Sequence, residues 1–276
     1  MNTKIDTQME AISINEYFNI ENPWTLRLLG LTPFQKNRDI NQVENEYNLD
    51  KYAKLLEFDF KTAAEYKAKE FEQAGLHPTE GLMYISKGDN IFKTTVENAR
   101  EIYYNIINST LTKFSSSNFC ELGCGYGYNL EFLGKNFYGG DYSSNAVKIG
   151  QKVGLDVREF NYYEENDYKF IKPDSTIFTT HSIEQIPDAN VIINNLEKQK
   201  KNINYVVHFE PTIVEDRSSL LGLLRNKYLE LNDYNRNLIS VLKGRTDIEI
   251  LELETDVFGL VPLNTTNLIV WKFKNK

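Results

Sequence analysis

One nine-residue stretch constrains this chain more than any other: Phe119-Cys120-Glu121-Leu122-Gly123-Cys124-Gly125-Tyr126-Gly127. It reads as a strand that ends in a glycine-rich loop and leads into a helix over Tyr128–Leu133. Glycines there let the backbone turn tightly and approach a ligand, and the helix N-terminus favours the ligand's polar groups. The spacing is GxGxG. A dinucleotide fold uses GxGxxG, with its third glycine packed so that a pyrophosphate can sit on the helix end. Here Tyr128 and Asn129 follow Gly127, so that fingerprint fails. Glu121 at the strand end would repel a pyrophosphate and suits a cationic group. A second strand, Phe137-Tyr138-Gly139-Gly140-Asp141, ends in an acid 20 residues after Glu121, where a carboxylate can take both hydroxyls of a ribose. A generic strand-to-helix turn is the plain alternative, and it leaves this second acid unexplained.

The surrounding pattern says what carries that loop. After Ser115-Ser116-Ser117, candidate strands Phe119–Leu122, Phe137–Gly140, Asp156–Phe160, Thr176–Thr180, Tyr205–Phe209, Ile248–Leu253 and Leu268–Lys274 alternate with helical stretches. The helices fall around Tyr128–Leu133, Ser144–Val153, Ala189–Gln199 and Ser219–Leu242. That rhythm predicts an α/β fold: a Rossmann-like, seven-stranded, mostly parallel sheet covered on both faces, with an antiparallel last strand. Before Ser115 the chain reads as helical, over Asn41–Gln73 and Thr94–Leu111. Residues 1–93 are therefore expected to form a helical extension that contributes no strand and covers the acceptor pocket. Residues 94–276 are expected to form the main domain, with a helical insert at 212–243.

In these residues the chain resembles the class I S-adenosylmethionine-dependent methyltransferases, from about Thr94 to Lys276. The resemblance implies that Glu121, Gly123, Cys124 and Gly125 belong to the loop cradling the methionine part of the cofactor. Cys124 is read there as a backbone contact. It implies that Asp141 binds the ribose, that Tyr142 packs beside the adenine, and that Asn161 with Tyr162 follows the third strand where the adenine amine is met. Thr180 and His181 end the fourth strand. Gln185 stands where many relatives have a histidine, so that histidine's role does not transfer.

The acceptor is read from the rim. His181 and His208 fall at the ends of the fourth and fifth strands, and an imidazole titrating at pH ~6.5 suits a general base for a hydroxyl. Glu210, two residues beyond His208, shares its side of an extended chain and is placed to orient it or to bind the acceptor. The alternative for each histidine is a backbone hydrogen bond, or for His181 a place lining the cofactor. Tyr228, Tyr234 and Asn235 in the insert suit a hydroxyl-rich substrate, or else belong to a solvated turn. The segment Thr180-His181-Ser182-Ile183 lacks the Asn/Asp-Pro-Pro-aromatic tetrad of nucleobase and glutamine N-methyltransferases. The C-terminal pattern is similar to methyltransferases that decorate bacterial surface polysaccharides and their nucleotide-linked precursors. The expectation is methyl transfer to a small polar acceptor, a sugar or sugar-linked hydroxyl of capsule or lipopolysaccharide synthesis. Rivals are a nitrogen or carboxylate acceptor of phosphoramidate or natural-product type, and a non-catalytic cofactor-binding scaffold.

Composition removes other classes. With 31 basic against 39 acidic residues the net charge is −8, and no basic stripe answers a nucleic acid. Two cysteines in 276 residues exclude a disulfide scaffold and a four-cysteine zinc site, and no metal is expected. The N-terminus has no secretory pattern and no run approaches ~18 apolar residues, so a cytoplasmic protein without membrane partners is expected. Asn22-Pro23-Trp24 suits a lid or a homodimer contact.

Overall fold

Period-two alternation in the later strands buries a different core on each face of one sheet. Along β8 (Ile203–Glu210), Val206 faces one apolar layer and Val207 and Phe209 the other. Along β10 (Asn264–Phe273), Ile269 and Trp271 join the first layer, Leu268 and Val270 the second. The computed structural model describes residues 9–19, 22–134 and 136–274. Met1–Gln8, the start of the expected extension and of the segment read for a secretory pattern, lie outside the described residues.

The remaining strands are β1 (Glu10–Ile12), β2 (Leu82–Lys87), β3 (Asn90–Thr95), β4 (Asn118–Leu122), β5 (Phe137–Asp141), β6 (Val157–Glu159), β7 (Ser175–Thr180) and β9 (Ile248–Val261). They form one ten-stranded sheet in the order β1-β3-β2-β9-β10-β8-β7-β4-β5-β6. The β6-β5-β4-β7-β8 part is parallel, and β10 runs antiparallel between β8 and β9. The expected seven strands are thus extended by three.

Those three come from the segment expected to contribute no strand, and the boundary expected after residue 93 falls inside β3. β9 is the reason. It continues through Phe258–Val261, which had read as a gap, and its long edge is covered by β2. Gly259 meets Ser86 there, and a Cβ on it would stand 2.8 Å from the serine oxygen.

Two expected helices are broken. Asn41–Gln73 becomes Ile40–Val43, a widened π-type segment Glu44–Tyr52 and Ala53–Leu56, then a separate helix Ala63–Gln73. The last starts in a Thr62–Glu65 capping box, and Glu131 of the main domain accepts its first amides, Ala63 N at 3.0 Å and Ala64 N at 2.9 Å. Ser219–Leu242 becomes Leu220–Leu231 and Leu238–Gly244, interrupted at Asp233, whose φ of +54° no helix allows. Thr94–Leu111 becomes β3 running into the helix Val96–Leu111, capped by Thr95 and burying Val96, Ala99, Tyr103, Ile107 and Leu111. Among the described residues no helix is long and apolar enough to cross a membrane.

Candidate functional site

Strand order reverses at β4, between β5 and β7, and an open α/β sheet binds its ligand beyond the carboxyl ends of the strands at such a point. The glycine loop sits there. Its amides at Gly123 and Cys124 both donate to Gly140 O, at 2.8 and 3.1 Å, clasping the loop to β5. Gly123 has φ +75°, and a Cβ on it would lie 2.3 Å from that of Ser182. Only glycine fits.

Glu121 and Asp141 flank the loop. Glu121 is fully buried; Oε1 accepts from Asn129 Nδ2 at 2.6 Å and from the Thr180 hydroxyl, while Oε2 has no partner. Burial pushes its pKa up to about 7; Thr180 and Asn129 oppose that rise and the charges of Asp141 and Glu210 add to it. Asp141 accepts from Gly125 N at 2.7 Å through Oδ2 and from Ser143 N at 2.9 Å through Oδ1. Burial raises its pKa too, against the pull of those two amides.

Two clefts open on this loop. The first is lined by Asp141, Tyr142, Asn161, Tyr162, His181 and Ser182 from the sheet side. Arg38, Ile40, Val43, Tyr47 and Tyr52 face them from the N-terminal segment. The second runs past Gly123, Cys124, Gly125, Asn129 and Thr180 toward Lys67, Arg100 and Tyr128. Tyr47, Tyr52, Gly123 and His181 line both. Asn48 docks the N-terminal segment onto the Asp141 turn, accepting from Ser143 Oγ at 2.7 Å and Asn145 N at 2.9 Å.

The expected cofactor residues therefore converge on one place. Asn161 lines the first cleft while its Oδ1 accepts from Tyr163 N at 3.0 Å. Tyr162 donates to Leu122 O at 2.6 Å.

The expected catalytic pair does not converge. His208 is fully buried in the sheet, its Nδ1 3.0 Å from Thr179 Oγ1, its Nε2 without a partner, and its ring 6.1 Å from that of Trp271. Burial pushes its pKa down to about 3. His208 lines neither cleft; the structure sets it in the core of the sheet, away from the rim expected of a base. Glu210 orients no imidazole of His208; it accepts from Ser182 N at 3.0 Å and Glu184 N at 3.2 Å, pinning the loop after β7.

His181 remains on the rim at φ +48°, with Nδ1 3.3 Å from Glu184 Oε2 and Nε2 2.8 Å from Thr266 Oγ1. Burial lowers its pKa, but the Glu184 hydrogen bond and the charges of Glu184 and Glu210 outweigh that and raise it.

The expected substrate residues are also relocated. Tyr228 and Tyr234 are buried in an apolar cluster with Tyr17, Trp24 and Leu263. Asn235, fully buried, donates to Glu184 O at 2.9 Å and Ile186 O at 2.8 Å and accepts from Leu238 N at 2.9 Å. These residues shape the loop behind the site and line neither cleft.

Sequence reasoning missed Arg38, Tyr47, Asn48, Tyr52, Ser182 and Arg100. Tyr47 and Tyr52 carried a faint signal: a five-residue step fits a π-type turn and no α-helical face.

No family model matches the chain, and no curated protein does. Solved structures do. A SAM-dependent methyltransferase from Anabaena variabilis ATCC 29413 is 14% identical over 77% of this chain and 96% of that one, with a TM-score of 0.47. The N-methyltransferase NodS from Bradyrhizobium japonicum WM9, in complex with S-adenosyl-l-homocysteine, is 12% identical over 64% of this chain and 87% of that one, with a TM-score of 0.44. The structure of OxaC is 9% identical over 59% of this chain at a TM-score of 0.42, and the match spans 44% of OxaC's own length.

Proposed function

We propose that this chain is an S-adenosylmethionine-dependent methyltransferase acting on a small polar acceptor, with a sugar hydroxyl as the acceptor group. One observation carries the reading. Glu121 and Asp141 lie at the carboxyl ends of adjacent parallel strands on either side of a glycine loop, and Glu121 keeps one buried oxygen without a partner.

The residues present fit that cofactor. The unanswered Glu121 oxygen wants a cationic donor, which an amino-acid ammonium is. Asp141 keeps lone pairs for ribose hydroxyls, and the absence of a Cβ at Gly123 leaves the floor of the cleft open. When bound, the cofactor supplies an activated sulfonium methyl. The chain's own residues do the rest. Tyr47 and Tyr52 wall the site off from water, Asn161 and Tyr142 line the first cleft, and His181 holds a proton between Glu184 and Thr266. Of the three histidines only His181 lines the two clefts, so it replaces His208 as the group able to exchange a proton with a hydroxyl.

The rival, a nitrogen or carboxylate acceptor needing no base, draws on one fact: both His181 nitrogens already have partners. The finer assignment to surface-glycan building blocks rests on the resemblance of the C-terminal pattern alone.

Calorimetry tests the core of this. The purified chain should bind S-adenosylhomocysteine at micromolar or better affinity and prefer it to NAD. Asp141→Ala should weaken binding roughly tenfold to a hundredfold, the scale of a charged hydrogen bond. Absence of binding by the unmodified chain, or a preference for NAD, defeats the reading. Binding without turnover on any acceptor would favour the scaffold.

A further inference from the structure

The second cleft carries more positive charge than the single carboxylate of an amino-acid end would use. Its walls include Lys51, Lys67 and Arg100, in a chain whose net charge is −8. Glu70 is the carboxylate at that end, and it is already engaged. It meets Lys51 Nζ at 2.7 Å and Lys67 Nζ at 2.9 Å, and accepts from the Tyr126 hydroxyl at 2.7 Å. Burial would raise its pKa, yet the two ammonium groups hold it well below the usual carboxylate range. Two lysines on one carboxylate leave a positive charge over. Glu184, the second carboxylate on the walls, is occupied by His181, Gln185 and Asn264.

Arg100 adds a second unanswered charge. Among the described residues it forms no ion pair. Its Nη2 donates to the Tyr128 hydroxyl at 2.6 Å, and its guanidinium lies over the rings of Phe71 and Tyr128, 5.2 Å from each centroid. Its Nε is buried without a hydrogen-bond partner. Rings orient a guanidinium without neutralising it, and an unmade buried donor is costly unless something arrives to accept from it. The planar fork matches two oxygens of a carboxylate or phosphate.

We infer that this cleft recognises an oxyanion, a carboxylate or a phosphate, carried by the methyl acceptor and held by Arg100 with Lys67 and Lys51 beside it. The word acceptor rests on the methyl-transfer reading; the oxyanion site stands without it. A molecule so held lies in the same cleft as Gly123, Gly125 and Thr180, with Tyr104, Tyr126 and Tyr128 along its walls.

The test uses the full chain, with and without S-adenosylhomocysteine, titrated with benzoate, phenyl phosphate and the neutral benzamide. One or both anions should bind saturably and benzamide should not, and which anion binds more tightly distinguishes carboxylate from phosphate. Arg100→Gln should weaken the anion about tenfold to a hundredfold, the scale of a charged hydrogen bond; an equal loss of S-adenosylhomocysteine affinity would assign the arginine to that ligand's own carboxylate and overturn the acceptor site. Lys67→Gln, at a residue already shared with Glu70, should weaken the anion by a smaller factor and guards against a folding defect in the arginine variant. Equal binding of anions and benzamide, or anion binding unchanged in both variants, overturns the site. Anion binding without S-adenosylhomocysteine binding keeps the oxyanion site and defeats the methyl-transfer reading instead.

Discussion

Glu121 and Glu210 end strands two places apart in the same sheet, both fully buried and both pushed by burial to a pKa of about 7. They do different work. Each oxygen of Glu210 accepts from a backbone amide of the loop after β7, from Ser182 and from Glu184. Glu121 satisfies one oxygen on Asn129 and Thr180 and leaves the other bare. One carboxylate has both oxygens committed to backbone amides; the other leaves one oxygen unpaired. A raised pKa alone does not separate the two roles, because structural burial perturbs as strongly as a functional site does. The unfilled valence separates them.

Gly123 lies between the two regions, so filling it should have the largest effect. A side chain there strikes Ser182, the residue through which Glu210 holds the loop, and the φ of +75° is itself strained for any other residue. Gly123→Val should abolish S-adenosylhomocysteine binding in calorimetry and lower stability in urea by about 1–3 kcal/mol. Retained affinity would show that the ligand does not use this floor.

Next come the paired carboxylates. An acid whose folded pKa is raised binds protons more tightly folded than unfolded, so stability falls as pH rises from the unfolded value of ~4.5 through about 7. Removing that cost, Glu121→Gln should stabilise the ligand-free chain at pH 8 by up to about 3 kcal/mol, since each tenfold difference in proton affinity between the folded and unfolded chain is worth about 1.4 kcal/mol. It should change little at pH 4.5 and should weaken S-adenosylhomocysteine about tenfold. Glu210→Gln should show no such gain, because a glutamine offers one acceptor oxygen to a loop that uses two. Urea curves at both pH values, with calorimetry, check the contrast. Equal stability gains in the two variants would erase the distinction.

His208 tests the sealed region by itself. Buried neutral with a pKa of about 3, it contributes stability that is full above ~6.5 and is lost as pH falls toward 3, since the unfolded chain takes up the proton first. His208→Leu should flatten that acid limb while leaving the pH dependence of turnover unchanged. A pH–rate profile that lost an ionisation near 6 to 7 in this variant would restore His208 as a base.

These residues show what the sequence could disclose. The glycine loop, Asp141 and the alternating strands after Ser115 are local signals, each written in a few contiguous letters, and they predicted where the clefts open. The place of His208 was not legible because a residue's position along a strand does not tell what packs on its face: His208 shares the Val206 face of β8, under the apolar layer that holds Trp271, whose ring is 6.1 Å away. The extra strands were missed for a related reason: β2 and β3 make a hairpin whose docking on β9 depends on a partner some 170 residues later. Arg100 shares its helix with a clear apolar face, and its rings, Phe71 and Tyr128, come from two other helices.

The smallest effect should distinguish tyrosines that wall a cleft from tyrosines that fill the apolar cluster behind the site. Tyr234 is 7% exposed, its ring 6.1 Å from Tyr228 and under the Arg38 guanidinium at 4.9 Å, and its amide is tied to Leu229 O at 2.9 Å. Tyr234→Phe keeps all of those contacts and removes one hydroxyl. Stability should change by no more than about 1 kcal/mol, the net contribution of one neutral hydrogen bond, and the acceptor's KM should stay within about twofold. Tyr128→Phe removes an equally small group from the cleft wall, but that hydroxyl accepts from Arg100 Nη2 at 2.6 Å. Losing it frees the guanidinium to swing, so KM for an anionic acceptor should rise several-fold while kcat moves less. Steady-state kinetics on one acceptor read both variants side by side. A larger KM change in Tyr234→Phe than in Tyr128→Phe would put the acceptor beside the insert's tyrosines instead of in the cleft.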